Sequence, residues 1–425
     1  MEFPICRTRR LYVRPCGATP SGVLELSAID RAVVLRHQVR SLHVFPADGI
    51  RGSQPARDIR GALGQALVDY YPFAGRLVDG ASVECTGEGV WFVEAATGCC
   101  LADVGFLEQY PLMIPEDDLL PDAPPGMQPL DIPLMMQVTV FACGGYVVGL
   151  VSVHTIADGV GVSQFMSAIG DYSRGVPKPR INPIFARDLI PRPAKLPPPP
   201  PRGPSPDTQT ARFRQLTFEV SADHIKRVKS EFLESTGQRC SGLDVVVAMT
   251  WQARTRSLRL PTPSTQVSLC LPSNTRHLVD GGGAFVGNCF YPLSVAADCG
   301  TVAGADTAAV VRIIRRAKAR LPAEFARWAA GDSKEDPYQL RATYDVLFVT
   351  DWTNLGFLQA DYGMGKPSNV IPLAYETFLA AAIIYRPAVP KDGARIMTQC
   401  VKEDHFSAFL NETNKFGGQC SKAKL

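Results

Sequence analysis

The chain has 425 residues, a formal net charge of +3 at pH 7 and a hydrophobic content of 46%. A chain of this length is longer than one hydrophobic core usually supports, so we expect two domains. The balance of apolar and charged residues is typical of a compact soluble protein. The small net charge, without a basic stripe interleaved with aromatic residues, argues against nucleic-acid binding. No apolar run approaches the ~18 residues that span a bilayer. The twelve cysteines and six histidines nowhere show zinc-ligand spacing.

The N-terminal half is predicted to alternate helices and strands. Apolar residues recur at helical intervals at Ile59, Leu63, Ala66 and Leu67, which predicts a helix that stops at Pro72. The segment 83–95 predicts a β-hairpin, and 134–154 predicts a second hairpin that turns at Gly144–Gly145. The last strand of this second hairpin runs directly into His154, and a helix with one apolar face follows.

A proline-rich segment separates the two halves of the chain. Five consecutive prolines at 197–201 favour a stiff polyproline II conformation that neither a helix nor a central strand accepts. We therefore predict an N-terminal domain over 1–185, a proline-rich crossover linker over 186–212 and a C-terminal domain over 213–425.

The C-terminal half also mixes helices and strands. Ser241 and Asp244 form a Ser-x-x-Asp signal that predicts the start of a helix. No strand is followed by Gly-x-Gly-x-x-Gly, so a doubly wound dinucleotide fold is disfavoured and an α/β (α+β) two-domain architecture is expected. The remaining predicted elements are strands at 214–220, 267–272 and 345–350, helices at 222–234, 306–320 and 402–415, and one or two strands within 369–387.

His154 stands in a short turn between a strand and a helix, four residues before Asp158. A neutral imidazole accepts a proton near pH 7, which makes histidine the usual general base. Gly159 and Gly161 would allow unusual backbone angles or the close approach of a substrate. Taken alone, the pattern leaves open a core histidine bonded to a carbonyl group. A metal pair is disfavoured because no third ligand lies nearby.

A second motif, Asp361-Tyr-Gly-Met-Gly365, is expected to begin at the end of a strand in the C-terminal half. Together with His154-Thr-Ile-Ala-Asp158 it resembles the plant BAHD acyltransferases, which carry His-x-x-x-Asp in mid-chain and Asp-Phe-Gly-Trp-Gly near the C-terminus. The chain looks most similar to the branch of benzoyl-CoA:alcohol and taxane acyltransferases. The resemblance extends in order over almost the whole chain, including LSAID (26–30), YYPFAGRL (70–77), VECTGEGVWFVEA (83–95), QVTVFACGGYVVG (137–149) and GNCF (287–290).

Three positions depart from the family pattern. Tyr362 replaces the usual phenylalanine and Met364 the usual tryptophan of the second motif, so the packing behind that turn is expected to differ. Where the family often has Arg-x-Arg, this chain has Asn274 before Thr275 and Arg276. Only Arg276 is left to pair with a motif carboxylate.

The resemblance implies chloramphenicol-acetyltransferase-like domains around a central channel, with His154 as the general base and no covalent acyl-enzyme. It groups Asp158 and Asp361 with His154 as catalytic residues, although both are expected to act mainly through structure. Asp158 is expected to pair with Arg276. The glycines of the two motifs are expected to support their turns: Gly159, Gly363 and Gly365.

An acyl-CoA is the expected co-substrate, with no metal and no permanently bound cofactor. The helix N-terminus at Ser241 is a candidate site for a coenzyme A phosphate, with Arg239 nearby. An ordinary N-cap beside solvated arginines is the alternative. The expected partners are the acyl-CoA donor and a small-molecule alcohol or amine, with no nucleic acid, no membrane span and a monomeric chain.

The function expected from the resemblance is transfer of an aromatic acyl group, such as benzoyl, to a hydroxyl group of an acceptor such as benzyl alcohol. One alternative is an N-acyltransferase acting on an aryl amine or polyamine, and another is a ligand-binding protein without catalysis. The tripeptide Ala423-Lys424-Leu425 resembles a peroxisomal address, with a cytoplasmic location as the alternative.

Overall fold

A computed structural model describes residues 3–47, 54–193, 213–340, 343–374 and 379–420. The five prolines at 197–201 and the tripeptide at 423–425 lie outside these residues. The chain divides into two compact units, each built from three segments. The first comprises Met1–Arg192, Thr275–Cys289 and Asn354–Tyr375, and the second comprises Pro193–Asn274, Phe290–Thr353 and Glu376–Leu425.

The two units are discontinuous in sequence, unlike the domains drawn at 1–185 and 213–425. Residues 275–289 and 354–375 belong to the first unit, so Arg276 and the Asp361 motif lie in the same unit as His154. The segment 354–375 joins the first unit because its strand at Asn369–Pro372 pairs antiparallel with Gln38–Phe45 and extends the sheet. The segment 275–289 is joined to the same unit by a parallel bridge between Ile184 and Phe285. A linear division at the proline-rich segment cannot represent this return of the chain.

The elements of the first unit, in chain order with those of the second unit left out, are β1 (Cys6–Val13), β2 (Val23–Glu25), β3 (Gln38–Phe45), α1 (Pro55–Asp69), β4 (Arg76–Val78), β5 (Ser82–Glu84), β6 (Val90–Ala96), α2 (Glu116–Leu119), β7 (Leu134–Val140), β8 (Tyr146–Val153), α3 (Gly159–Ser173) and β13 (Asn369–Pro372). They form a six-stranded sheet in the order β1-β6-β7-β8-β3-β13 and a three-stranded sheet in the order β2-β5-β4.

The strand that leads to His154 is buried along its whole length. All residues of β8 are buried, and the strand lies between β7 and β3 in the sheet. A strand covered on both faces is typically a continuous apolar run, which is what the sequence of β8 shows. The predicted hairpin of β7 and β8 is present, with antiparallel pairing from Leu134↔Ser152 to Val140↔Tyr146.

The other predicted hairpin, over 83–95, is wrong. β5 pairs with β2 and β4 in the small sheet, whereas β6 pairs with β1 and β7 in the large one. The chain crosses between the sheets at Gly89, which has φ of +102°. A Cβ atom there would lie 2.2 Å from the carbonyl oxygen of Val13, so glycine is required by close backbone approach and not by a hairpin turn.

The elements of the second unit are β9 (Arg214–Val220), α4 (Ala222–Thr236), α5 (Gly242–Leu258), β10 (Gln266–Asn274), β11 (Phe290–Asp298), α6 (Cys299–Gly304), α7 (Thr307–Lys318), α8 (Leu321–Ala329), β12 (Val346–Asp351), β14 (Ala381–Tyr385), β15 (Ala394–Val401), α9 (Glu403–Thr413) and β16 (Gly417–Cys420). The strands form one seven-stranded sheet in the order β11-β10-β12-β14-β15-β9-β16, and the helices pack on it.

Helix α5 is the central element of the second unit's core. Both Trp251 and Arg254 on this helix are fully buried. The Arg254 Nε donates to the carbonyl oxygen of Cys400 at 2.8 Å, which satisfies part of the buried guanidinium. Among the described residues, no helix is both long enough and apolar enough to cross a membrane.

Candidate active site

His154 directly follows β8, and its main chain is held by the neighbouring strand. Its N–H donates to the carbonyl oxygen of His37 at 2.9 Å, just before β3 begins. Four residues later, Asp158 is the N-cap of α3 and accepts a hydrogen bond from the Gly161 N–H at 3.1 Å. The histidine therefore lies in a turn whose two ends are fixed by a sheet and a helix.

Asn288 determines which nitrogen of His154 carries the hydrogen. The Asn288 Nδ2 donates to Asp30 Oδ1 at 2.8 Å and to the carbonyl oxygen of His154 at 2.9 Å. This orientation leaves the amide oxygen facing the imidazole, 3.0 Å from Nδ1. Because an amide oxygen only accepts, Nδ1 must donate and Nε2 keeps its lone pair. That tautomer is the one a general base needs.

The electrostatic environment keeps His154 uncharged. Burial lowers the pKa of its imidazole below the ordinary value of 6.5. A hydrogen bond to its own main chain and the neighbouring Asp158, Asn288 and Asp30 act in the opposite direction, but their combined effect is smaller. The imidazole is therefore neutral near pH 7 and able to accept a proton.

A second histidine, His37, lies beside the first. The two ring centroids are 5.3 Å apart, and the His37 Nδ1 donates to the carbonyl oxygen of Val34 at 2.8 Å. Burial, with the charge of a protonated His154 as the second cause, lowers the pKa of His37 to about 4. His37 is thus neutral at physiological pH and places no fixed positive charge next to the base.

Asp158 and Arg276 form a buried, bidentate ion pair. The Arg276 Nη1 and Nη2 donate to the two carboxylate oxygens, each at 2.8 Å. The carboxylate also accepts from the N–H groups of Gly161 and Cys289, so both oxygens are fully engaged. Burial alone would raise the pKa of Asp158, but Arg276 and these hydrogen bonds outweigh it and lower the pKa. Arg276 is the partner expected for Asp158 from the sequence, and these contacts fix the Asp158 carboxylate within the fold.

The structure does not bring Asp361 to the histidine. Its turn packs on the C-terminal end of α3, where Ser173 Oγ donates to the carbonyl oxygen of Tyr362 at 2.6 Å. His154 lies before the opposite end of this helix, whose 15 residues span about 22 Å at 1.5 Å per residue. Asp361 Oδ1 accepts from the Gly363 N–H at 2.9 Å and closes its own turn. Grouping Asp361 with the catalytic residues is therefore not supported by the geometry.

The motif glycines have two different roles. Gly363 and Gly365 have φ of +86° and +85°, in the region that other residues avoid, and so shape the Asp361 turn. Gly159 instead has an ordinary backbone and is packed closely, since a Cβ atom there would lie 2.5 Å from Leu355. The family departures Tyr362 and Met364 are both buried, where they fill the core behind the turn.

The N-terminus of α5 is capped by two of its own residues, Ser241 and Asp244. Ser241 Oγ accepts from the Asp244 N–H at 3.0 Å, and Asp244 Oδ2 accepts from the Ser241 N–H at 3.1 Å. Asp244 also pairs with Lys318 at 2.6 Å, which outweighs the effect of burial and lowers the pKa of the carboxyl. Since a carboxylate already occupies this end of the helix, the geometry favours the N-cap over a phosphate site. Arg239 is exposed to solvent.

Three residues of the site were not identified from the sequence: Asn288, Asp30 and Arg187. Asp30 and Asn288 are 258 residues apart, and Arg187 is distant from both. The segments LSAID and GNCF appeared in the family resemblance, but nothing in their local spacing assigns a role. These three residues come together only when the chain folds, so no local sequence pattern identifies them.

Comparison with known proteins identifies the family of this chain. A family model described as "Transferase family" matches residues 3–415. The chain belongs to this family, the BAHD acyltransferases. It is 59% identical to Acyl transferase 4 of Oryza sativa subsp. japonica, over 98% of this chain and 100% of that protein. It is 37% identical to a myricetin 3-O-glucosyl 1,2-rhamnoside 6'-O-caffeoyltransferase, AT2, of Crocosmia x crocosmiiflora, over 98% and 100%.

A solved structure extends the likeness to the fold. Vinorine synthase superposes with a TM-score of 0.76 at 21% identity, over 97% of this chain and 98% of that chain. The predicted fold class, an α/β (α+β) architecture of two domains, is confirmed. As a BAHD acyltransferase, the protein is an acyl-group transferase that uses a coenzyme A thioester as co-substrate.

The ion pair of Asp158 provides the first prediction. Replacing Asp158 by alanine leaves the buried Arg276 without its counter-charge, which is expected to lower the free energy of unfolding by about 3–5 kcal/mol. Denaturant unfolding followed by circular dichroism measures this loss. Glu25, in an exposed pair with Arg31, is the matched control, and Glu25→Ala should leave the unfolding midpoint close to that of the wild type. Equal effects of the two changes would contradict the structural role of Asp158.

The second prediction concerns Asp361. Asp361→Asn keeps an oxygen that accepts from Gly363, so both stability and kcat are expected to stay close to the wild type. Asp361→Ala removes that acceptor and is expected to cost about 1 kcal/mol of stability while kcat changes little. Thermal melting and steady-state kinetics on both variants provide the measurement. A large loss of kcat in the folded Asp361→Asn variant would restore a catalytic role.

Proposed function

We propose that this protein transfers an aromatic acyl group from a coenzyme A thioester to a hydroxyl group of a small-molecule acceptor, with His154 as general base. The observation that carries the assignment of the base is the hydrogen bond from His154 Nδ1 to Asn288 Oδ1. It leaves Nε2 unprotonated, and the lowered pKa keeps the ring neutral at the pH of the reaction.

In this proposal His154 moves one proton twice. Nε2 takes the proton of the acceptor hydroxyl as its oxygen attacks the thioester carbonyl carbon, which gives a tetrahedral oxyanion. When the oxyanion collapses, the carbon–sulfur bond breaks and the imidazolium returns the proton to the thiolate of coenzyme A. Proton transfer by a positioned side chain typically contributes about 10²–10⁴ in rate. No covalent acyl-enzyme is needed.

The choice of an aromatic acyl group and a hydroxyl acceptor is supported by a relative. The caffeoyltransferase at 37% identity is named for transfer of an aromatic acyl group to an oxygen of a flavonoid glycoside. Benzoyl-CoA and caffeoyl-CoA are therefore both candidate donors, since each carries an aromatic acyl group. N-acylation of an aryl amine or polyamine is the alternative, because the same base would serve an amine nucleophile.

The third prediction is a matrix of donors and acceptors on the purified protein. Benzoyl-, caffeoyl- and acetyl-CoA are each combined with benzyl alcohol, a flavonoid glycoside, benzylamine and spermidine. Release of free thiol and mass spectrometry of the product are measured together. We expect acceptor-dependent release with an aromatic donor and a hydroxyl acceptor. Activity confined to the amines would favour the N-acyltransferase alternative.

Replacement of the base belongs to the same experiment. His154→Gln is expected to fold normally and to lower kcat by about 10²–10⁴, because glutamine cannot accept the proton. The exposed His277 is the matched control, and His277→Gln should keep wild-type kinetics. A His154→Gln variant with near-normal turnover would remove the base from the proposal. Absence of acceptor-dependent thiol release with every donor and acceptor of the panel would support a protein that only binds ligands.

The fourth prediction is the pH dependence of the reaction. His154 must be neutral to act, and burial places its pKa below 6.5. Activity should therefore be retained as pH falls to 6.5 and should be lost only at lower pH, as the imidazole takes up a proton. The measurement is kcat/KM between pH 4.5 and 8, with unfolding followed in the same buffers. Half-loss of activity above pH 6.5 in the folded protein would contradict the lowered pKa.

A further inference from the structure

Asp30 and Arg187 form a second buried ion pair in the first unit, and the proton transfer proposed above does not use it. The two side chains are 0% and 3% exposed, and Arg187 Nε lies 2.9 Å from Asp30 Oδ2. The contact is one of charge, because the two atoms are not aligned for a hydrogen bond. A buried ion pair is weak evidence for stability, since desolvation of the charges offsets much of their attraction. A role in positioning would account for it.

The carboxylate of Asp30 holds Asn288 by both its main chain and its side chain. Asp30 Oδ1 accepts from the Asn288 N–H at 2.9 Å and from Asn288 Nδ2 at 2.8 Å. Reversal of the amide would turn its oxygen toward this carboxylate oxygen and toward the carbonyl oxygen of His154. Both contacts would then be repulsive. The charge on Asp30 therefore sets the amide orientation on which the tautomer of His154 depends.

Asp30 is itself fixed from two sides. The Ser27 N–H donates to Asp30 Oδ2 at 3.1 Å, and the Asp30 N–H donates to Ser27 Oγ at 3.1 Å. Arg187 supplies the counter-charge at Oδ2 and also bridges two loops of the site. Its Nη2 donates to the carbonyl oxygen of Ile156 at 2.9 Å, and its Nη1 donates to that of Val286.

We propose that Asp30 and Arg187 are positioning residues that act through Asn288 to keep His154 in the tautomer with a free Nε2. The proposal rests on the proposed role of His154 as general base. Neither side chain needs to touch the substrate. The pair fixes the amide, the amide fixes the hydrogen on Nδ1, and the nucleophile meets the lone pair of Nε2.

The pair also acts on the charge of His154. Asp30 is one of the groups that raise the pKa of the imidazole against the effect of burial. Asp30→Asn removes that negative charge and leaves the positive charge of Arg187 in place, so protonation of His154 becomes harder. The expected direction is a shift of the acid limb of kcat/KM to lower pH. Loss of packing alone would not produce this shift.

The test compares Asp30→Asn with a matched control, Asp171→Asn. Asp171 is also a buried carboxylate of the first unit, and it pairs with Arg174 and Arg180 at 2.7 and 2.9 Å. Both changes remove a buried negative charge and should lower the melting temperature. Only Asp30→Asn is expected to lower kcat, by tenfold or more, with little change in KM and with the acid limb moved to lower pH.

Nitrogen-15 NMR of histidine-labelled protein supplies a readout that does not depend on activity, with the His154 signals assigned from His154→Gln. In the wild type and in Asp171→Asn, hydrogen is expected on Nδ1 and a lone pair on Nε2. In Asp30→Asn, both tautomers are expected. A wild type with hydrogen on Nε2, or an Asp30→Asn variant with an unchanged tautomer, kcat and pH profile, would overturn the proposal.

Two further variants test whether the ion pair of Asp30 and Arg187 acts on His154 through Asn288. They also take the place of Asp30→Asn if that variant does not fold. Arg187→Lys keeps the positive charge but has fewer hydrogen-bond donors, so it should lower kcat less than Asp30→Asn does. Because the charge is kept, the acid limb of kcat/KM should stay at its wild-type pH. In an Asn288→Ser background, Arg187→Lys should cause no further loss of kcat. Additive losses would overturn the proposed route. If His154→Gln retains normal turnover, the proposed base fails, and the NMR result still decides whether the ion pair controls the tautomer.

Discussion

The site depends on one short segment of chain, residues 285–289, which two buried arginine–aspartate pairs hold by its main chain. The pairs are Asp158 with Arg276 and Asp30 with Arg187. Every residue of the segment gives one main-chain group to a member of the pairs. The carbonyl oxygens of Phe285 and Gly287 accept from Arg276, that of Val286 accepts from Arg187, and the N–H groups of Asn288 and Cys289 donate to Asp30 and Asp158.

Charged partners suit this position for a physical reason. Buried main-chain groups must be hydrogen-bonded, and 285–289 contains no strand or α-helix that would satisfy them within regular structure. Each pair is neutral as a whole, so the partners bring strong hydrogen bonds without a net charge. The imidazole of His154 therefore lies among oriented dipoles, and burial keeps it uncharged. A carboxylate without a counter-charge beside the histidine would raise the pKa of the imidazole and increase the fraction that is protonated near pH 7.

Where the determining interactions are local, the sequence was sufficient. The α5 cap follows from Ser241 and Asp244, three residues apart, and the β7–β8 hairpin follows from two apolar strands with glycines between them. The short turn that carries His154 is equally local. The hairpin predicted over 83–95 failed because glycine spacing does not distinguish a turn from a crossing between sheets. Gly89 is needed for the backbone of Val13, 76 positions earlier in the chain.

The parts of the site that the sequence could not predict are those that control the histidine. Asn288 is 134 residues from His154 and has no charge, so neither spacing nor composition identifies it. Its effect arises from orientation alone, since the same amide reversed would favour the opposite tautomer. That orientation is set by Asp30, from the other end of the chain. The motif histidine and aspartate are visible as a pattern because they share one turn, whereas the proton position on His154 depends on contacts that exist only after the chain has folded.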